Sequence, residues 1–128
     1  MKKTLDIAAI ILTVIILLAL GAALRGMTAP DAASARFGLP VTDAVGAMFY
    51  RVYVSRNIVL LVASAIFLVT QMWRPLAILL SVALTLPVFD MWILNANGQT
   101  PPLLHPVTFV VMAAAVALLW RRAIKAGG

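Results

Sequence analysis

Apolar residues in this chain occur in long blocks rather than at the two-residue or 3.6-residue periods of half-buried strands and surface helices. The first block runs from Ile7 to Leu24. At 1.5 Å per residue it spans about 27 Å, enough to cross most of a bilayer's hydrocarbon. Three further blocks follow, giving spans at approximately 6–25, 44–72, 75–94 and 106–121 around an outer loop at 26–41. The pattern predicts an all-α membrane protein, one domain over 1–128 built as a four-transmembrane-helix bundle.

The punctuation between blocks refines this outline. Lys2 and Lys3 ahead of the first block, with Gly21, Ala22 and Ala23 inside it, resemble a secretory signal. The apolar run is longer than a signal core, so a retained span is expected. Gly26, Pro30, Gly38 and Pro40 break the apolar pattern, and a short helix is expected over Asp31–Phe37 with Asp31 as its cap. Asp43 or Thr42 suits the start of the second span, which is overlong for the hydrocarbon. Pro75 fits a first helical turn, Pro87 should kink the third span, and Pro106 should open the fourth. The pairs Ala19–Ala23 and Ala113–Ala117 would let helices approach closely.

Composition then narrows function. The chain of 128 residues is 64% hydrophobic and 11% charged, and its net charge is +6. The ten basic residues are dispersed at segment ends, so they form no nucleic-acid surface and read as topology signals. Six of them (Lys2, Lys3, Arg74, Arg121, Arg122, Lys125) fall on the side of the termini, against Arg25, Arg36, Arg51 and Arg56 on the other. Both termini are therefore expected in the cytoplasm, with the protein in the cell membrane. There is no cysteine, no glutamate and one histidine. Thiolate chemistry and multi-histidine metal sites are excluded, and no cofactor motif is visible. The partners expected are the lipid bilayer, a small lipophilic ligand and a second copy of the chain.

Candidate chemistry lies in the outer half of the bilayer. Asp90 and Arg56, counted from the ends of their antiparallel spans, fall at nearly one depth, roughly 21–24 Å from the cytoplasmic edge. Charges there call for partners, so an Arg56–Asp90 ion pair is expected. Tyr53 and Asn57 share a face with Arg56 by i, i+3 and i, i+4 spacing. Ser55 and Arg51 point more to the side, and Tyr50, Trp92, Asn95 and His105 approach from the outer ends. Asp90 is the catalytic candidate, and Arg51, Tyr53, Arg56, Asn57, Trp92 and His105 are the ligand-binding candidates. The same residues also read as a structural clasp with aromatic interface anchors. Ser55, Asp90 and His105 are the types of a nucleophilic triad, but their spacing lends it no support. Asp6 complements the positive end of the first helix.

The segment Arg36-Phe37-Gly38-Leu39-Pro40, followed by Arg51, Arg56 and Asn57 in the second span and Asp90 late in the third, resembles a family of short bacterial and fungal four-span membrane proteins classed as a domain of unknown function, and more distantly the DoxX-like four-helix proteins. The resemblance covers roughly Leu18 to Ala123. It implies the four-helix fold and draws attention to Arg51, Arg56, Asn57 and Asp90, without implying an activity.

Three functions stay open on the sequence. One is binding or conversion of a small lipophilic molecule, with arginine holding an oxygen and Asp90 moving a proton in an isomerase-, cyclase- or hydratase-like step. Another is an accessory subunit with the Arg–Asp pair as clasp. The last is a small dimeric transporter. Small multidrug exporters share the length and span number but depend on a glutamate in the first helix, and no acid lies between Ile7 and Leu24 here.

Overall fold

The computed structural model describes residues 6–127; Lys2 and Lys3, which enter the orientation count, lie outside the described residues. Six helices follow in order: α1 (Ile7–Thr28), α2 (Pro30–Phe37), α3 (Ala44–Val69), α4 (Trp73–Ala83), α5 (Thr85–Ala96) and α6 (Leu104–Lys125). Helices α4 and α5 form one span, so four segments are long and apolar enough to cross a membrane. The protein is an all-α multi-pass membrane protein.

Local chemistry explains each boundary. Asp6 caps α1, its carboxylate accepting the Ala9 N–H at 3.3 Å. The helix continues past Gly26 because Val54 and Tyr50 of α3 pack over that glycine, and it ends just before Pro30. Asp31 does not cap α2 as expected. Pro30 takes the first helical position and Ala29 the cap, leaving Asp31 in the first turn, where its charge still complements the helix dipole. Asp43 does cap α3, accepting the Gly46 N–H at 2.6 Å. That helix stops at Val69, short of the expected residue 72, with Gln71 turned into the left-handed region (φ 57°) to start the return.

The third span breaks at Leu84, between α4 and α5. Pro87 has no N–H to give the Ala83 carbonyl four residues back, and its ring crowds that carbonyl. The fourth span starts at Leu104, two residues ahead of Pro106, which occupies the first turn where its missing N–H has no helical partner.

Helix α1 packs chiefly on α3, and α4 chiefly on α6, while α5 rests on α6 and α2 crosses α1, α3 and α6. Helices α3 and α5 do not pack on each other. The dry core sits at the end holding the termini: Leu12, Leu76 and Leu119 are fully buried there beside Trp73, Ala77, Ala115 and Ala123. The small-residue seam of α6 thus runs through 115 and 123, and Ala117 of the expected pair faces outward.

An ion pair closes this end. Arg122 donates Nε–H to Asp6 Oδ2 at 2.9 Å, and its guanidinium lies 4.8 Å from the Trp73 ring centroid. Asp6 lies just outside the first span, and the Arg122 hydrogen bond, helped by the Ala9 N–H, holds its carboxyl below the usual carboxylate range. A depressed folded-state pKa contributes stability that is present above the unfolded value of about 3.9 and lost as pH falls through the folded value. Thermal melts should therefore show wild type above Asp6→Asn at neutral pH, with the two converging below about pH 4. A constant gap down to low pH would mean the ion pair does not contribute.

Candidate functional site

At the opposite end the bundle is loosely filled, because α3 and α5 diverge and α2 bridges over the gap. The space between them is a cavity of about 320 Å³. Its wall is almost wholly apolar: Phe37 and Leu39 come from α2 and its exit, Phe49, Tyr50 and Tyr53 from α3, Ile93 and Leu94 from α5. Among the described residues, Asp90 is the only charged one lining it.

Asp90 is half-buried, and its partner is His105 rather than Arg56. His105 Nδ1 stands 3.8 Å from Asp90 Oδ2, an ion-pair distance, and the imidazole is buried behind the carboxylate. The other ring nitrogen, Nε2, lies 2.8 Å from the Phe37 carbonyl oxygen. A carbonyl only accepts, so Nε2 carries a proton and donates. A neutral ring would then turn the bare Nδ1 lone pair toward Asp90. Two acceptors at this distance repel, and a proton on either Nδ1 or the carboxyl makes the contact attractive. The contact has room to hold one proton between Asp90 and His105.

The segment Phe37-Gly38-Leu39 is the lid of this cavity, stitched to its surroundings at several points. The Phe37 ring meets His105 edge-on at 4.7 Å and Tyr53 at 5.7 Å, and Tyr53 meets Tyr50 at 5.8 Å. Gly38 holds φ 106°, and an added Cβ would come within 2.9 Å of Pro102 in the α5–α6 loop, so both conformation and contact require glycine. Buried Ser34 accepts the Val41 N–H at 3.0 Å and donates to the Asp31 carbonyl at 3.1 Å, tying the loop into α3 back to α2.

The expected Arg56–Asp90 pair does not form. Equal depth along two helices says nothing about rotation around them, and the Arg56 side chain is exposed on α3 while Asp90 faces α6. Arg51 is also exposed. It donates Nε–H to the Met27 carbonyl at 3.0 Å, a cation placed on the unsatisfied C-terminal carbonyls of α1. Neither arginine lines the cavity. Asn57 is partly buried one turn along α3 from Tyr53. Trp92 lies 65% exposed and borders a different groove of about 480 Å³ beside Ser81, Thr85, Phe89 and Phe109 at the break in the third span. Ser55 donates to its own helix at Val52 and takes no part in a triad.

Of the residues singled out in the sequence, the structure thus gathers Asp90, His105 and Tyr53, and leaves Arg51, Arg56 and Trp92 outside. Sequence reasoning missed Phe49 and the Phe37 ring and carbonyl, while Tyr50, expected to approach from the outer end, lines the wall. The Tyr50–Tyr53 spacing was one available signal, since i, i+3 aromatics share a helix face.

No curated protein and no solved structure matches the chain. A family model described as "Domain of unknown function (DUF4267)" matches residues 12–119, a stretch that takes in the lid, α3, Asp90 and His105. The chain belongs to the DUF4267 family.

Proposed function

We propose that this membrane protein binds a small lipophilic molecule between α3 and α5, and that Asp90, backed by His105, moves a proton as part of that event. One observation carries the reading: a cavity of about 320 Å³ with aromatic and aliphatic walls has, among the described residues, a carboxylate as its only charged group. Convergence of one ionisable group on an apolar cavity is the usual construction of a small-molecule site. Intramembrane carboxylates that serve no function are uncommon, because they are expensive to keep. Proton transfer is the chemistry these groups support, whether it accompanies binding alone or an isomerisation, cyclisation or hydration.

The reading places both termini in the cytoplasm of a cell-membrane protein. Arg74, Arg121, Arg122 and Lys125 lie at the core end, with Lys2 and Lys3 before them in the sequence, against Arg25, Arg36, Arg51 and Arg56 toward the other end. The cavity then belongs to the outer half of the bilayer, open to molecules arriving by way of the lipid.

Native mass spectrometry of gently extracted protein tests the binding. Wild type should retain a small molecule that Ile93→Trp, which fills the cavity, and Asp90→Leu both lose while eluting as folded protein. The same spectra report subunit number, and so address a homo-oligomer. Retention of the same molecules by all three proteins, or of none by wild type, would count against the cavity as a binding site.

A further inference from the structure

Resting on that reading, we infer that the cavity takes a lipophilic organic cation, an amine or quaternary ammonium with a small apolar body, in exchange for the proton held between Asp90 and His105. The lining decides the charge of the ligand. Phe37, Phe49, Tyr50 and Tyr53 line the space, and aromatic faces attract cations through their quadrupole. Asp90 supplies a negative charge at the same wall. An anion would find no cationic side chain there among the described residues. Arg51 and Arg56 are outside the lining, and the Arg51 Nε–H is engaged by the Met27 carbonyl.

The exchange follows from the same geometry. The titratable groups facing Asp90 are His105 from α6 and Tyr53 from α3; α2 contributes the Phe37 carbonyl and no charge to the contact. With His105 Nε2 donating to Phe37, the Asp90–His105 pair holds one proton in its attractive state and is then neutral as a unit. A cation arriving at Asp90 takes the place of that positive charge. The proton leaves to solvent, the cation stays, and charge balances one for one.

Isothermal titration calorimetry on the purified full chain in detergent tests this, with benzyltrimethylammonium as the cation and benzenesulfonate as an anion of similar size. Repeating the titration in buffers of different ionisation heat counts the protons released. The cation should bind and the anion should not. Up to one proton should leave per cation bound, and affinity should rise roughly tenfold per pH unit over the range where the pair still holds its proton. Asp90→Asn should weaken cation binding about tenfold or more and abolish proton release. Asp90→Glu, which keeps the charge, should retain both and guards against a folding failure of the amide variant.

Binding of benzenesulfonate in place of the cation overturns the assignment of ligand class. Cation binding with no proton released and no pH dependence overturns the exchange. If neither probe binds while native spectra still show an Asp90-dependent small molecule, the cation assignment fails and the cavity reading stands. If neither probe binds and nothing is retained, both fail.

Discussion

Gly26→Leu should loosen the α1–α3 pair and destabilise the bundle by about 3 kcal/mol, the upper part of the range for overpacking a tight interface. Gly26 is buried where α1 meets α3, and a Cβ there would come within 2.9 Å of Val54 Cγ2 and 3.3 Å of Tyr50 Cε1. Val54 cannot swing aside readily. It is 3% exposed, and a β-branched side chain on a helix has one strongly preferred rotamer. The helices must separate, and in lipid no hydrophobic force restores them, because association depends on close van der Waals contact. Tyr50 would move with α3, so the cavity wall should shift as well. Unfolding of wild type, Gly26→Ala and Gly26→Leu in mixed micelles should give a graded series. A leucine variant within about 0.5 kcal/mol of wild type would show that this contact does not hold the helices together.

His105→Leu should release the lid. The substitution leaves the Phe37 carbonyl without its donor and Asp90 without its partner, both part-buried. An orphaned buried acceptor costs about 1–3 kcal/mol, and the stranded carboxylate adds to that. The loss should be local. Amide hydrogen exchange should accelerate in α2, where the helical N–H groups depend on the lid staying seated, and remain slow around Leu12, Leu76 and Leu119. His105→Gln supplies an N–H that can still reach Phe37 but cannot hold an imidazole's proton. It should restore most of the protection in α2 while changing the proton count on ligand binding. Equal exchange rates in all three proteins would mean that α2 is held by its apolar contacts alone.

Much of the architecture was legible along the chain. The four spans follow from apolar blocks that no soluble fold could bury, and the break in the third follows from Pro87. Asp43 was readable as a cap because a helix start leaves N–H groups that a carboxylate satisfies within three residues. These are local decisions, settled by residues within a turn or two of one another. Asp31 shows where such reasoning slips. Pro30 could take the first helical position, and the cap moved two residues back, from Asp31 to Ala29.

The candidate site was legible in its residue types and less so in its partners. Asp90 stood out because a carboxylate in hydrocarbon demands an explanation, and His105 because it is the one histidine. Arg56 stood out for the same reason as Asp90, and pairing them assumed that equal depth brings two side chains together. Depth is a one-dimensional quantity along the helix. Contact also needs the right rotation and the right neighbouring helix, and both come from packing. The partner of Asp6 was hidden for the same reason, with Arg122 lying 116 residues away.

The sequence by itself determined that four segments are apolar and long enough to cross the membrane, that the third of them breaks ahead of Pro87, and which few polar residues interrupt them. Those properties come from transfer free energy and from hydrogen bonds made within a turn or two. Tertiary structure alone decided that α3 and α5 part beneath a lid, that Asp90 looks to His105 rather than Arg56, and that aromatic rings line the space between. Side chains from four helices meet there, and their arrangement depends on contacts as specific as Gly26 against Val54 and Gly38 against Pro102.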